Sequence, residues 1–527
     1  MARRVVVCPE PLAAEAGAEI FRKGGSAVDA ALATAYAQCV VSPVMASIAG
    51  TGGMNVYHAP TGRHLVLDFL GRSGSLCTPE MYVGRPSAEQ QRGYRSILVP
   101  SFVRGTQVAL EQFGSGRVSW ATILEPAIRY AEEGFAQFPY IHQYWRKEDP
   151  VQQTRERFDG YEMVTTTPAS AAIFTVGDRV HFMGEQIVQS DLARTLRRIA
   201  EVGPDDFYSG EIGRRIAEDL EQNGALVTAD DLAACQPDIG PPLFGSYRSL
   251  TVATDRPPNV GLLLVTLLNV LEGFEMAALR DDEVGYWDLF ARALYEVLQE
   301  RIRFMTDPAF ERLPYEWLHT AEHAEIVRAR VRERAFIGAA PAPESSGTTH
   351  VSTFDEDGSA VSFTHSIGIG SGVVTPGLGF MYNNGMSAFD PVPGRPNSIG
   401  PGKAGISGGG PALVFQEGRV RYVIGSPHGT RKTSSMGHTL VSLIDFGRSP
   451  AAAVASPRIH CERDPAELLV DTYVPLGLPT QRGLAALGYR IREDLYGGRV
   501  CLVAVDPTTG EASGASDPRG GGGLIEL

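Results

Sequence analysis

Gly347-Thr348-Thr349-His350-Val351-Ser352-Thr353-Phe354 runs into the turn Asp355-Glu356-Asp357-Gly358, and Ser359-Ala360-Val361-Ser362-Phe363-Thr364 returns. β-Branched and aromatic residues alternate with small polar ones on both sides of a turn that ends in glycine. That pattern predicts a β-hairpin. Its first residue after a glycine is Thr348. If the chain breaks itself at Gly347–Thr348, Thr348 gains a free α-amine beside its own hydroxyl. Nucleophile and base then sit on one residue. An α-amine has an ordinary pKa of about 8, so near pH 7 part of it is neutral and able to take a proton. Gly347 leaves room for the hydroxyl to reach the preceding carbonyl.

Just upstream, Ile337 to Gly347 is rich in Ala, Pro, Ser and Gly and has no periodicity, which reads as a linker holding the scission point. Before it the chain is mostly helical in pattern. Residues 10–40 predict two Ala-rich helices around a Lys23-Gly24-Gly25 turn, with Ser26 and Asp29 at the start of the second. Further helices are expected over Trp120 to Gly134, Ser209 to Gly224, Gly261 to Gly273 and Val284 to Phe304. Strands are expected at Met54 to Tyr57 and Leu65 to Phe69, after the small-residue stretch Ile48-Ala49-Gly50-Thr51-Gly52-Gly53, where backbones approach closely. Beyond the linker, strands and Gly-rich loops are expected over 348–386, 411–426, 466–471 and 500–506. At 527 residues, length alone allows two to four domains. Two independent domains, or one domain with a processing site inside its linker, both fit this contrast.

The net charge of −14 disfavours a nucleic-acid partner and a polybasic membrane contact. No apolar run reaches the roughly 18 residues of a membrane span. The short run Val5 to Cys8 is no signal segment, and a cytoplasmic location is the expectation. Six cysteines lie far apart with no C-x-x-C, which argues against zinc and against a disulfide scaffold and predicts buried free thiols. The eleven histidines form no metal-ligand spacing, and no P-loop occurs, so neither metal nor cofactor is expected.

Other blocks accompany the hairpin. Early ones are Pro11-Leu-Ala-Ala-Glu-Ala-Gly17, Arg22-Lys-Gly-Gly-Ser-Ala-Val-Asp-Ala-Ala31 and Ile48-Ala-Gly-Thr-Gly-Gly-Met54. Later ones are Glu125-Pro-Ala-Ile, Phe207-Tyr-Ser-Gly210, Leu226-Val-Thr-Ala-Asp-Asp-Leu232, Asn383-Asn384, Gly425-Ser-Pro-His-Gly429 and Gly514-Ala-Ser-Asp-Pro-Arg519. In this order, around a Thr-Thr-His hairpin, they resemble the γ-glutamyltransferase family of N-terminal-nucleophile hydrolases over nearly the whole chain. The resemblance implies an α+β fold, a four-layer αββα sandwich made as a proenzyme. It would cut itself into a large subunit, 1–347, and a small subunit, 348–527, which stay together as an αβ heterodimer. Whether such units pair further stays open. In proportion to length, the 56.7 kDa chain would give pieces of roughly 37 and 19 kDa.

Carried over residue by residue, the resemblance makes Gly347 and Thr348 the autocleavage pair and Thr348 the catalytic nucleophile. Ser366 matches a hydroxyl residue that holds the nucleophile. His428-Gly429 stands where the family places a Gly-Gly pair whose backbone N–H groups stabilise the oxyanion. Replacing Gly by His keeps the N–H and adds an imidazole near the reacting centre.

The pattern departs where γ-glutamyl substrates are gripped. Asp68-Phe69 is followed by Leu70, where the family has an Arg for the α-carboxylate. Asn383-Asn384-Gly385-Met386-Ser387 is followed by Ala388, where it has an Asp for the ammonium. A Ser-Ser pair becomes Ser407-Gly408, and an Asn position falls at Gly368 in a shortened loop. Leaving both ends of a buried zwitterion unpaired would cost several kcal/mol. Arg72, Ser407, Gly408 and Arg431 are the remaining candidates for binding substrate. The expected activity is an amidohydrolase that cleaves a small amide of a carboxylic acid through an acyl-enzyme, similar to the oxamate amidohydrolase branch. Glutathione hydrolase or γ-glutamyltransferase activity, a glutaryl-type acylase and an inactive scaffold remain as alternatives. Gly405-Ile406-Ser407-Gly408-Gly409 also matches the G-x-S-x-G elbow, but a strand rather than a helix is expected after it.

Overall fold

The computed structural model describes residues 2–145, 160–312, 314–333, 347–407, 409–494 and 498–527. Most of the expected linker, and Gly408, therefore lie outside the described residues. The chain opens with strand β1 (Val5–Cys8), helix α1 (Pro11–Arg22) and helix α2 (Ala27–Val41). Ser26 caps α2 in a reciprocal box: its hydroxyl accepts from the Asp29 N–H, and the Asp29 carboxylate accepts from the Ser26 N–H at 2.8 Å. All fifteen residues of α2 are buried, which small alanines permit. Next come β2 (Thr51–His58) and β3 (Arg63–Phe69), joined through Gly62 at φ 65°, then α3 (Phe102–Phe113) and α4 (Trp120–Glu133). Strands β4 (Asp238–Gly240), β5 (Leu243–Tyr247) and β6 (Leu250–Thr254) precede α5 (Gly261–Glu272) and α6 (Glu283–Phe304).

The expected hairpin is β7 (Thr349–Phe354) and β8 (Ala360–Ser366), with Gly358 at φ 87° in its turn. It is followed by β9 (Ala412–Gln416), β10 (Arg419–Gly425), α7 (Arg431–Ile444), β11 (Cys501–Val505), β12 (Ala512–Ser516) and β13 (Gly523–Glu526). Within the expected stretch of strands and Gly-rich loops to 386, β8 stops at Ser366. Gly368, Gly370 and Gly372 then take φ values of 71°, 87° and 74°, which turn the backbone out of the sheet. A short helical turn, Gly385–Ala388, closes that loop.

Among the described residues the strands form a seven-stranded sheet, β13-β1-β7-β8-β2-β3-β4, and a six-stranded sheet, β12-β11-β10-β9-β6-β5. Each draws strands from both sides of residue 347, so two separable domains are excluded. Side chains alternate across β7. Val351 packs outward with α1, α2 and α4, whereas Phe354 packs inward with Val5, Leu413, Val423 and Val503 of both sheets. The outer face of the second sheet, at Val414, Ile424 and Leu502, is covered by α5, α6 and α7. The result is four layers, helix–sheet–sheet–helix. All six cysteines are buried and free.

Candidate active site

In the β7–β8 register Thr349 faces His365 and His350 faces Thr364, so one further step sets Thr348 opposite Ser366. The Thr348 hydroxyl donates to Ser366 Oγ at 3.2 Å, and the Gly368 N–H donates to the same oxygen at 2.8 Å. The Ser366 hydroxyl in turn donates to the Gly347 carbonyl oxygen. One serine thus accepts from the Thr348 hydroxyl and donates to the carbonyl beside it. A Cβ at Gly347 would lie 1.9 Å from the Gly368 carbonyl oxygen and 2.8 Å from that of Val44. Glycine is required there by contact.

Thr348 is held from behind. The Thr349 side chain points to the helical side of the sheet, where its hydroxyl meets the Glu10 carboxylate at 3.0 and 3.1 Å and accepts from Gln38 Nε2 at 2.9 Å. Gln38 also donates to the His350 carbonyl, and Tyr140 donates to Glu10. On the inter-sheet side the His350 ring bonds Thr364 and Ser352 at 2.8 and 3.0 Å. Burial holds its imidazole well below the ordinary range, so it is neutral. The ring fills the space a side chain at Gly425 would need, with ring atoms 2.0–2.5 Å from an added Cβ. That contact explains the glycine that ends β10.

After Gly425 the chain turns through Ser426-Pro427-His428-Gly429 into α7. His428 is buried at φ 87°, a left-handed value unusual for a residue with a side chain, and Gly429 follows at φ 48°. Asn383 fixes the opposite wall. Its oxygen accepts from the Leu98 and Gly385 N–H groups, and its nitrogen donates to the Ala49 and Leu98 carbonyls.

Thr348 lines a cavity of about 70 Å³ together with Thr51, Leu70, Ser366, Ala388, Ser407, Gly429 and Lys432. Leu70 also lines a second cavity of about 640 Å³, whose wall carries Asp68, Asp231, Asp238, Asp307 and Arg72. Burial and the nearby Asp255 and Asp238 push the Asp68 carboxyl well up.

Of the residues expected from sequence, Thr348, Ser366, Ser407 and Gly429 meet at the smaller cavity. His428 is not among its lining residues. Arg72 pairs with Asp307 at 3.0 Å and with the Gly402 carbonyl, on the larger cavity. Arg431 is buried against Asp494 at 2.6 Å. Ser407 sits in an isolated bridge to Asn259 with strand β9 beyond it, which removes the G-x-S-x-G elbow. Gly408 lies outside the described residues. Leu70 and Ala388 do stand in the cavity wall.

Lys432 went unnoticed in the sequence. It is 2% exposed, and burial lowers its ammonium pKa to about 7, against a pull in the other direction from Asp255. Asp255 is itself buried and pushed up to about 7, although the Gly410 and Gly261 N–H groups donate to it at 2.7 and 3.1 Å. Lys432 makes no hydrogen bond or ion pair among the described residues. One signal was legible: two cations, Arg431 and Lys432, open a helix whose positive dipole end disfavours them.

The profile of the family described as Gamma-glutamyltranspeptidase matches residues 13–527. The chain is 32% identical to the Acylase ACY 1 proenzyme of Pseudomonas sp. (strain SE83) over 542 aligned residues, covering 100% of this chain and 94% of that protein. It is 30% identical to the Glutathione hydrolase proenzyme of Escherichia coli (strain K12), covering 98% and 90%. The crystal structure of cephalosporin acylase from Bacillus halodurans superposes with a TM-score of 0.86 at 28% identity, covering 100% and 96%.

Proposed function

This chain belongs to the gamma-glutamyltranspeptidase family, and from that premise we propose that Thr348 is its nucleophile and a small amide of a carboxylic acid its substrate. The family membership makes it an N-terminal-nucleophile amidohydrolase produced as a self-processing proenzyme. In the precursor, Thr348 Oγ attacks the Gly347 carbonyl carbon while Ser366 holds the developing oxyanion. The acyl group moves from nitrogen to oxygen, and the hydroxyl proton ends on the freed amine. Water then splits the ester into a Gly347 carboxylate and the Thr348 hydroxyl. In the mature enzyme the Thr348 α-amine takes that hydroxyl's proton as Oγ attacks the substrate amide. The N–H of Gly429, which lines the cavity, stabilises the tetrahedral oxyanion. The leaving amine departs protonated, and water hydrolyses the acyl-enzyme.

The observation that carries the substrate class is the wall beside Thr348. Leu70 and Ala388 offer nothing to an α-carboxylate or an α-ammonium, and the cavity holds only about 70 Å³. At roughly 10–15 Å³ per water-sized position, that is room for about five to seven heavy atoms. An oxamate-sized acyl donor fits; a glutamyl group leaves its α-ammonium unmatched, since no Asp or Glu is among the described residues that line the cavity. A second reading, an acylase with a bulky amine leaving group, is favoured by the adjoining 640 Å³ cavity that shares Leu70.

Ammonia release from oxamate, set against anilide release from a γ-glutamyl anilide and hydrolysis of bulky N-acyl amines, separates these readings. Oxamate turnover without anilide release is expected. Thr348→Ala should leave one intact band on a denaturing gel and no turnover; a variant that still splits or still hydrolyses ends the assignment.

A further inference from the structure

We propose that Lys432 is the anchor for a carboxylate on the acyl group that Thr348 attacks, and so sets the charge selectivity of this enzyme. The inference rests on the reading of the Thr348 cavity as the acyl site and adds the group that recognises its ligand. Lys432 and Thr348 line the same cavity. Among its described lining residues there is no Asp or Glu, and His365, which also lines it, is held neutral by burial. The other cations considered, Arg72 and Arg431, already have carboxylate partners in Asp307 and Asp494. Lys432 is as buried as they are or more so, yet has no hydrogen-bond or ion-pair partner among the described residues.

An ammonium taken out of water without a partner is costly, and a fold keeps one where a ligand completes it. Asp255 does not complete it. Its oxygens accept the Gly410 and Gly261 N–H groups, and no salt bridge to Lys432 forms among the described residues. The burial that lowers Lys432 to about pH 7 leaves it able to take a proton when an anion arrives. Lys432 also lies in the first turn of α7, which has no side-chain cap, so the helix dipole adds to the attraction for an anion. The Thr348 hydroxyl is bonded to Ser366, not to the amine, which assigns Lys432 to binding and leaves the proton transfer to the α-amine.

The test compares charged and uncharged partners of one shape. Oxamate with oxamide, and succinamate with succinamide, are assayed on wild type and Lys432→Met, with cleavage followed on a gel. Binding of oxalate and succinate is measured by calorimetry on both proteins. Wild type should prefer the carboxylate of each pair. In the variant that preference should fall by about 10- to 100-fold, mainly through KM, and the dicarboxylates should bind correspondingly weaker. Lys432→Arg should restore part of the preference. A wild type that treats the charged and uncharged partners alike, or that binds neither dicarboxylate, overturns the proposal with no variant needed. So does a cleaved Lys432→Met protein with its preference intact. Wild-type protein that binds dicarboxylates but hydrolyses no amide would instead sink the assigned reaction while upholding the anchor.

Discussion

The hydroxyl of Ser366 does two jobs at one point. It accepts a hydrogen bond from the Thr348 hydroxyl and donates one to the Gly347 carbonyl, so in the proposed self-cleavage attack and oxyanion support would share one atom. Two neighbouring residues carry strain or charge that ordinary folding would avoid. His428 holds a φ of 87° where glycine would sit without steric cost. His428→Gly should therefore keep the wild-type stability to within about 1 kcal/mol, whereas the β-branched His428→Val should lose about 1–3 kcal/mol, measured by thermal melts. Lys432 gives a pH-dependent signature. Its folded pKa of about 7 lies below the ordinary value of about 10.4, so between those values the unfolded chain holds more protons. The cost of the buried charge is present in full below pH 7 and fades as pH climbs towards 10. Asp255, from the loop after β6, is the charged group that faces it, and the neutral His350 lies on β7. Lys432→Met should raise Tm most at pH 6 and progressively less by pH 9.5; a change in Tm that does not vary over this range would show that the amine is solvated. The sequence exposed Thr348 through the hairpin pattern after Gly347 and Ser366 through the family resemblance, but not Lys432, because what marks that lysine is a missing partner.

The loops that shape the cavity are tied to one another rather than to their own strands. Asn383 satisfies two N–H and two C=O groups from three segments, and Asn384 accepts from the Ile369 N–H while donating to the Gln91 carbonyl. Asn383→Ala would remove the side-chain partner of the Leu98 N–H and C=O, the Gly385 N–H and the Ala49 C=O, the last of which keeps the Asn383 N–H, and a loss of about 2–4 kcal/mol is expected in urea titration. A loss under 1 kcal/mol would show that water replaces the amide. Element by element, the helices and strands of greatest periodicity read correctly from sequence. Ser26 and Asp29 place α2, Gly224 takes the left-handed φ of 71° expected of a terminal glycine, and β7–β8 pair as a hairpin. Beyond Ser366 three glycines at positive φ and the Asn384 tether form the Gly-rich loop expected there.

Scission at Gly347 would not divide the molecule into halves that can part. Strand β7, which begins with Thr349, lies between β1 and β8, and β8 pairs with β2, so each sheet is stitched from both pieces. A single buried Val, Leu or Ile is worth about 1.5–3 kcal/mol, and dozens of them cross that seam. The 37 and 19 kDa pieces should therefore elute as one native species and separate only in denaturant; free subunits in buffer would contradict the interleaved sheets. The late Gly514–Arg519 block adds a buried ionic knot, in which Asp517 joins Arg458 and Arg519 at 2.6 and 3.0 Å and Arg519 also pairs with Asp471. By itself the sequence determined the family resemblance, the hairpin and the loss of the glutamyl grips, because these are written in local periodicity and in residues at fixed spacing. Only the tertiary structure decided which cation lines the cavity. Arg72 is claimed by Asp307 and Arg431 by Asp494, partners 235 and 63 residues away, and Lys432 is claimed by none among the described residues. Such pairings follow from how sheets and helices pack, and no local pattern encodes them.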